Sequence, residues 1–91
     1  MGRPFKINDI IYRKLGKEKA LGLAHGHDNI IEIDNRLRGK KKLEIIMHEV
    51  MHIHNPEWSE SKVIKHSRAL CNILWQQGYR CIDDGKSLIQ V

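Results

Sequence analysis

Two histidines and an acid lie close together near the middle of the chain, in the run His48-Glu49-Val50-Met51-His52. Residues four apart on a helix stack one turn above another on the same face. Both imidazoles can therefore reach one cation at about 2.0–2.1 Å, the usual zinc–nitrogen distance. Glu49 is offset around the helix from its neighbour His48. It is badly placed to touch the same cation and well placed to touch a water held there. A carboxylate in that position takes the water's proton and passes it to a leaving amine. The spacing is that of the HExxH motif. The chemistry it points to is hydrolysis of a peptide bond, with Zn2+ as cofactor and Glu49 as general base.

Two imidazoles alone hold a catalytic zinc poorly, and a third protein ligand is expected. The long pattern HExxHxxGxxH is excluded, because Asn55 stands where its glycine belongs and Trp58 where its third histidine belongs. His54, Glu57, Glu60 and His66 remain. His54 lies two residues past His52 and points about 200° away on a continuing helix. Glu57 falls in the turn after Pro56, and His66 on the flank of the next helix. Glu60 opens that helix, three and four residues before Val63 and Ile64, and so shares its inward face. Glu60 is the expected third ligand, with His66 and Glu57 as alternatives. For the tetrahedral oxyanion of the reaction a further donor is needed, and Tyr79, His25, His27 and His66 are eligible.

The elements that must position these groups can be read from periodicity and punctuation. Leu43, Ile46, Met47, Val50 and Met51 form an apolar stripe at steps of three and four, which predicts a helix from about Lys41 to His54. Asn55-Pro56 stops it. Ser59 caps a following helix, with Glu60 in its first turn. Val63, Ile64, Ser67, Leu70, Cys71 and Leu74 line the inner face of that helix, and Gly78 ends it. Upstream, Ala20–His25, the turn Gly26–Asn29 and Ile30–Asp34 read as a β-hairpin. Ile10, Ile11 and Leu15 suggest a short amphipathic helix from Asn8 to about Lys17. Tyr79–Ile82 reads as a short strand, Asp83-Asp84-Gly85 as a turn, and Ser87–Val91 as a last strand or frayed tail.

Length and composition bound the rest. The chain of 91 residues is one domain, 1–91, with room for a modest core. Hydrophobic residues are 41% and charged residues 30%, which argues against disorder. No apolar run is long enough to span a membrane, so no membrane partner is expected. No apolar core follows the first residues as in a signal peptide, and a cytoplasmic location is the expectation. Cys71 and Cys81 lack the spacing of a zinc knuckle, and Cys71 reads as a buried reduced thiol. The net charge is +5, and the densest basic cluster is Arg36, Arg38, Lys40, Lys41 and Lys42. It reads either as a solvated connection or as a patch for weak association with DNA.

Together these residues resemble the small zinc metallopeptidase-like proteins of phages and prophages, akin to SprT-like and minigluzincin domains. The resemblance runs from about Asn29 to Arg80. It is carried by the strand Ile30-Ile31-Glu32-Ile33-Asp34, the link Arg36-Leu37-Arg38-Gly39, Leu43 through His52, Pro56, Glu60, Val63, and the ending Leu74-Trp75 with Gly78-Tyr79-Arg80. It implies an α+β zincin-like fold, in which a small antiparallel sheet packs on the active-site helix and a following helix. The strands would be Ala20–His25, Ile30–Asp34 and one from the C-terminal region. It also implies His48 and His52 as ligands, Glu49 as base and a downstream acid, which Glu60 matches by its position after the proline. SprT-like proteins usually supply a histidine there, and His66 alone could match it. In zincin-like sites an edge strand beside the cleft pairs with an extended peptide or protein substrate. Ile30, Ile31, Glu32 and Ile33 are the candidates for that strand, the other reading being an ordinary interior strand. Two rival functions accompany the peptidase: a catalytically inert metal-binding interaction module, and a basic DNA-associated protein.

Overall fold

A computed structural model of the chain describes residues 5–82. The order of elements is β1 (Asp9–Arg13), β2 (Gly22–His25), β3 (Ile30–Asp34), α1 (Gly39–His54) and α2 (Glu60–Gln76). The architecture is α+β: a three-stranded sheet in the order β1-β3-β2, with α1 packed on one face of the sheet and α2 packed on α1.

The first strand corrects an expectation. The segment from Asn8 is extended, and β1 pairs with β3 in parallel, from Asp9 opposite Ile30 to Arg13 opposite Asp34. The helical reading rested on Ile10, Ile11 and Leu15 and left out Tyr12. Ile10 and Tyr12 alternate on the face that meets α1, which is strand period, and β-branched and aromatic side chains suit a pleated surface. Leu15, just past the strand, is completely buried. The sheet is therefore mixed, not antiparallel, and its third strand comes from before the hairpin, not from the C-terminal region. Tyr79–Cys81 form no strand. The turn expected at Asp83–Gly85 and the strand expected over Ser87–Val91 lie outside the described residues.

The hairpin is as expected. β2 and β3 run antiparallel, Gly22 opposite Ile33 and His25 opposite Ile30, around the turn 26–29. Asn29 takes φ +54°, a left-handed conformation that asparagine tolerates. Ile31 and Ile33 of β3 are fully buried and form the core with Ile53 of α1, joined by Ile7, Ile10, Ala24, Leu37, Ile45, Ile46 and Val50. β3 occupies the middle of the sheet, paired along one edge with β1 and along the other with β2, and its inward Ile31 and Ile33 pack with Ile53 of α1.

A buried carboxylate fixes the path from β3 into α1. Asp34 is 1% exposed. It accepts hydrogen bonds from the Leu15 amide (3.2 Å), the Arg36 amide (2.9 Å) and the Arg36 guanidinium (2.8 and 2.6 Å). Those donors, the Arg36 guanidinium first, hold its carboxyl well below the usual carboxylate range.

α1 ends where Asn55 and Pro56 interrupt it, and the Asn55 amide caps it by donating to the Met51 carbonyl at 2.8 Å. Ser59 then caps α2, its hydroxyl accepting from the Lys62 amide at 3.2 Å. Val63, Ser67 and Cys71, each four residues apart, are the buried residues of α2. Leu70, expected on that inner face, is instead 44% exposed, because the row at steps of four is the one that meets α1. Gly78 closes α2 at φ +91°, a conformation glycine adopts without strain.

Candidate metal centre

α1 carries two adjacent rows of side chains at i, i+4 spacing. One row is Glu49 and Ile53, the buried residues of the helix, which face the sheet. The other is His48 and His52, at the edge of the α1–α2 interface. The turn after Pro56 is short, with the Trp58 amide donating to the Asn55 carbonyl at 2.9 Å. It reverses the chain and brings the first residue of α2 back over the histidine row.

Three side chains converge there. The Nε2 atoms of His48 and His52 lie 3.1 Å apart. The Glu60 carboxylate spans them, Oε1 at 2.7 Å from His52 Nε2 and Oε2 at 3.1 Å from His48 Nε2. All three ligand atoms fall within 4.8 Å of one another, and among the described residues this is the one such group of three or more histidine, cysteine or acidic side chains. The donor chemistry suits a cation. Two nitrogens held at about 2.0–2.1 Å from a tetrahedral ion would sit about 3.3 Å apart, close to the separation seen. A negative carboxylate completes the set, as in mixed histidine–carboxylate sites.

No protein-family model matches the chain, and no match is found among curated proteins or among solved structures.

Burial is the largest influence on His48 and lowers its pKa, against the opposing pull of Glu60. That favours the neutral imidazole, the form that ligates metals. Glu49 is 7% exposed, behind the histidine row. Burial first, and the charge of Glu60 second, push its carboxyl up to about 7. In metal-free protein this carboxyl holds its proton in the folded state up to about pH 7, whereas the unfolded chain releases it near the ordinary 4.5. The folded state thus binds more protons between those values, and stability falls as pH rises through that window. The contribution is roughly 2 kcal/mol after allowance for solvent at the cleft. Glu49→Gln should remove it. In chelator, the gap in melting temperature between variant and wild type should widen in the variant's favour from pH 5 to pH 8, and a constant gap would contradict the assignment.

The alternatives for the third ligand are placed elsewhere. His66 stacks on Trp58, ring centroids 4.9 Å apart. Glu57 is exposed in the turn. His54 packs edge-on against Phe5. The proposed oxyanion donors do not line the cleft either. His25 turns to the far face of the sheet and meets Glu32 at 2.9 Å. His27 is exposed in the hairpin turn. Tyr79 lines a separate cavity of about 180 Å³ with Tyr12, Leu43, Ile46 and Trp75, toward the start of α1.

The basic cluster is spread over several partners. Arg36 is bound to Asp34, Arg38 donates to the carbonyls of Asn35 and Leu37, and Lys41 lies 3.8 Å from Glu44. Lys40 is exposed, and the Lys42 ammonium sits over the Tyr12 ring.

The strand beside the cleft is β2, which corrects a second expectation. Ile30–Ile33 belong to β3, the central strand, whose two edges are already paired to β1 and β2. The cleft is lined by Gly22, Leu23, Ala24 and Gly26 together with His48, Glu49, His52, Ile53, Pro56 and Glu60. The Asp34 amide donates to the Leu21 carbonyl at 2.9 Å, so Leu21 and Asp34 are a hydrogen-bonded pair of the antiparallel ladder. By alternation Leu23 and His25 also bond to β3, and the amides and carbonyls of Gly22 and Ala24 turn to the outer edge. Sequence reading missed these two residues. The available signal was the glycine at 22 inside an apolar strand, which marks close approach of another group.

Proposed function

We propose that this protein is a zinc-dependent peptidase of the zincin kind, the class that the HExxH run and its flanking residues resemble. One observation carries the reading: the ligand atoms of His48, His52 and Glu60 converge within 4.8 Å of one another, with the buried carboxyl of Glu49 beside them and, along the same cleft, the outer edge of β2, unpaired among the described residues.

Zn2+ at that point would supply polarisation of the scissile carbonyl and a water acidified toward a pKa of about 7. The chain's own residues do the rest. An extended peptide pairs with the outer edge of β2 through the Gly22 and Ala24 main-chain groups, which sets its depth and direction along the cleft. Glu49, ionised once a cation lies nearby, takes the proton of the attacking water on a carboxylate oxygen. It then gives that proton to the departing amine as the C–N bond breaks. Its burial among Ile45, Ile53 and β2 keeps it from hydrating freely and fixes where the proton is carried. The partner is thus a peptide or protein substrate. No helix among the described residues is long and apolar enough to cross a membrane.

The test is direct. The full chain is loaded with Zn2+, its metal content is measured, and it is incubated with a random peptide library read by mass spectrometry. Cleavage that stops with chelator and returns with zinc supports the reading. One bound zinc with an uncut library would leave the inert metal-binding module, and failure to retain any divalent cation would remove both.

A further inference from the structure

We infer that Gly22 is a positioning residue for the general base: its missing side chain is the space in which the Glu49 carboxyl is seated. The inference rests on the peptidase reading for its catalytic meaning, but not for its geometry.

Gly22 and Ala24 share the face of β2 that looks onto α1, opposite the buried Ile33 and Ile31 of β3. A Cβ at residue 22 would lie 2.8 Å from Glu49 Cγ, 2.8 Å from Glu49 Oε2 and 2.9 Å from Ile45 Cγ2. Real Cβ atoms do not approach other heavy atoms so closely, so the Glu49 side chain or the strand must move. The carboxyl has little room to do so, since it is 7% exposed and the neighbouring Ile53 is 9% exposed. The backbone at Gly22 is ordinary extended strand, not the left-handed region reserved for glycine. Alanine is therefore acceptable there for the backbone itself, and what demands glycine is the room taken by Glu49 first and by Ile45 beside it.

The same residue turns its amide and carbonyl to the outer edge, where a peptide would pair. One position thus sets two distances at once: how deep the base sits, and how near the substrate main chain passes. Any side chain at 22 pushes the carboxyl outward into the path of the peptide or the strand away from the helix. Either change spoils an alignment that proton transfer needs at the level of an ångström.

The test is a double-mutant cycle with two readouts. In metal-free protein, Gly22→Ala is expected to lower the melting temperature by about 5 °C or more. In a Glu49→Ala background, the same substitution should lower it by clearly less, because two of the three atoms it collides with have gone and only Ile45 Cγ2 remains. Equal losses in the two backgrounds would overturn the inference, as would failure of Gly22→Ala to fold without recovery in the double variant. In zinc-loaded protein, Gly22→Ala should keep its metal content and lose about 100-fold in kcat; full kcat with bound zinc would also overturn it. A wild-type protein that binds zinc and cuts nothing would sink the peptidase reading instead, and the melting cycle would still decide what Gly22 does.

Discussion

Glu49→Gln is expected to leave the affinity for zinc within a few-fold of wild type and to reduce peptide cleavage by roughly 10³-fold. The amide keeps the shape of the carboxyl and its place between Ile45, Ile53 and β2, so the histidine row is undisturbed. What it lacks is a basic oxygen. Glu49 does not belong to the group of ligand atoms formed by His48, His52 and Glu60, so its loss should act on the chemical step and not on metal retention. A factor of 10³ corresponds to about 4 kcal/mol of transition-state stabilisation. Parallel measurement of zinc content and of kcat on one peptide substrate checks this. Undiminished turnover in a zinc-loaded variant would remove Glu49 as base. The same substitution should make metal-free protein more robust above pH 7, because it deletes a carboxyl that burial holds up to about 7. A gain in stability joined to a loss of activity is the pattern of a residue kept for chemistry.

His48→Ala and His52→Ala are each expected to weaken zinc binding by more than about 100-fold, since even groups that merely orient metal ligands cost 10–100-fold when lost. Glu60→Gln should weaken it by a smaller factor, because the amide oxygen remains a weak donor and the side chain is 63% exposed. His66→Ala and Glu57→Gln should leave affinity unchanged, as His66 is engaged with Trp58 and Glu57 faces solvent. Competition against a chromogenic chelator ranks the five variants in one experiment. A large loss with His66→Ala and none with Glu60→Gln would reassign the third ligand. Neither histidine variant should disturb the core, because both rings lie at the edge of the helix pair while Ile31, Ile33 and Ile53 pack on the sheet side.

Several parts of the site were legible from local signals. The four-residue spacing of His48 and His52 is a property of any α-helix, and the apolar stripe that announces α1 lies within the helix itself. Glu60 was legible for a similar reason. Pro56 ends one helix and Ser59 starts the next, so the residue after the cap must return close to the end of α1. Leu70 was misplaced because a stripe at mixed steps of three and four admits two neighbouring faces, and only the packing of α1 against Val63, Ser67 and Cys71 selects one. For β1, Ile10 and Ile11 fit either period, and the segment was settled by pairing with β3, which lies 21 residues further along in the register of Asp9 with Ile30.

Taken alone, the sequence determined the helix pair, the four-residue spacing of His48 and His52, the place of Glu49 beside them and the hairpin, because each depends on groups within one or two turns of one another. Only the tertiary structure decided that β3 is central, that β2 borders the cleft, and that Gly22 lies against Glu49. The physical reason is that an apolar alternation such as Ile31 and Ile33 reports one buried face and says nothing of what pairs at the strand's two edges. Those hydrogen bonds are made with distant segments, and their order in the sheet emerges only when the strands pair and α1 covers the isoleucines.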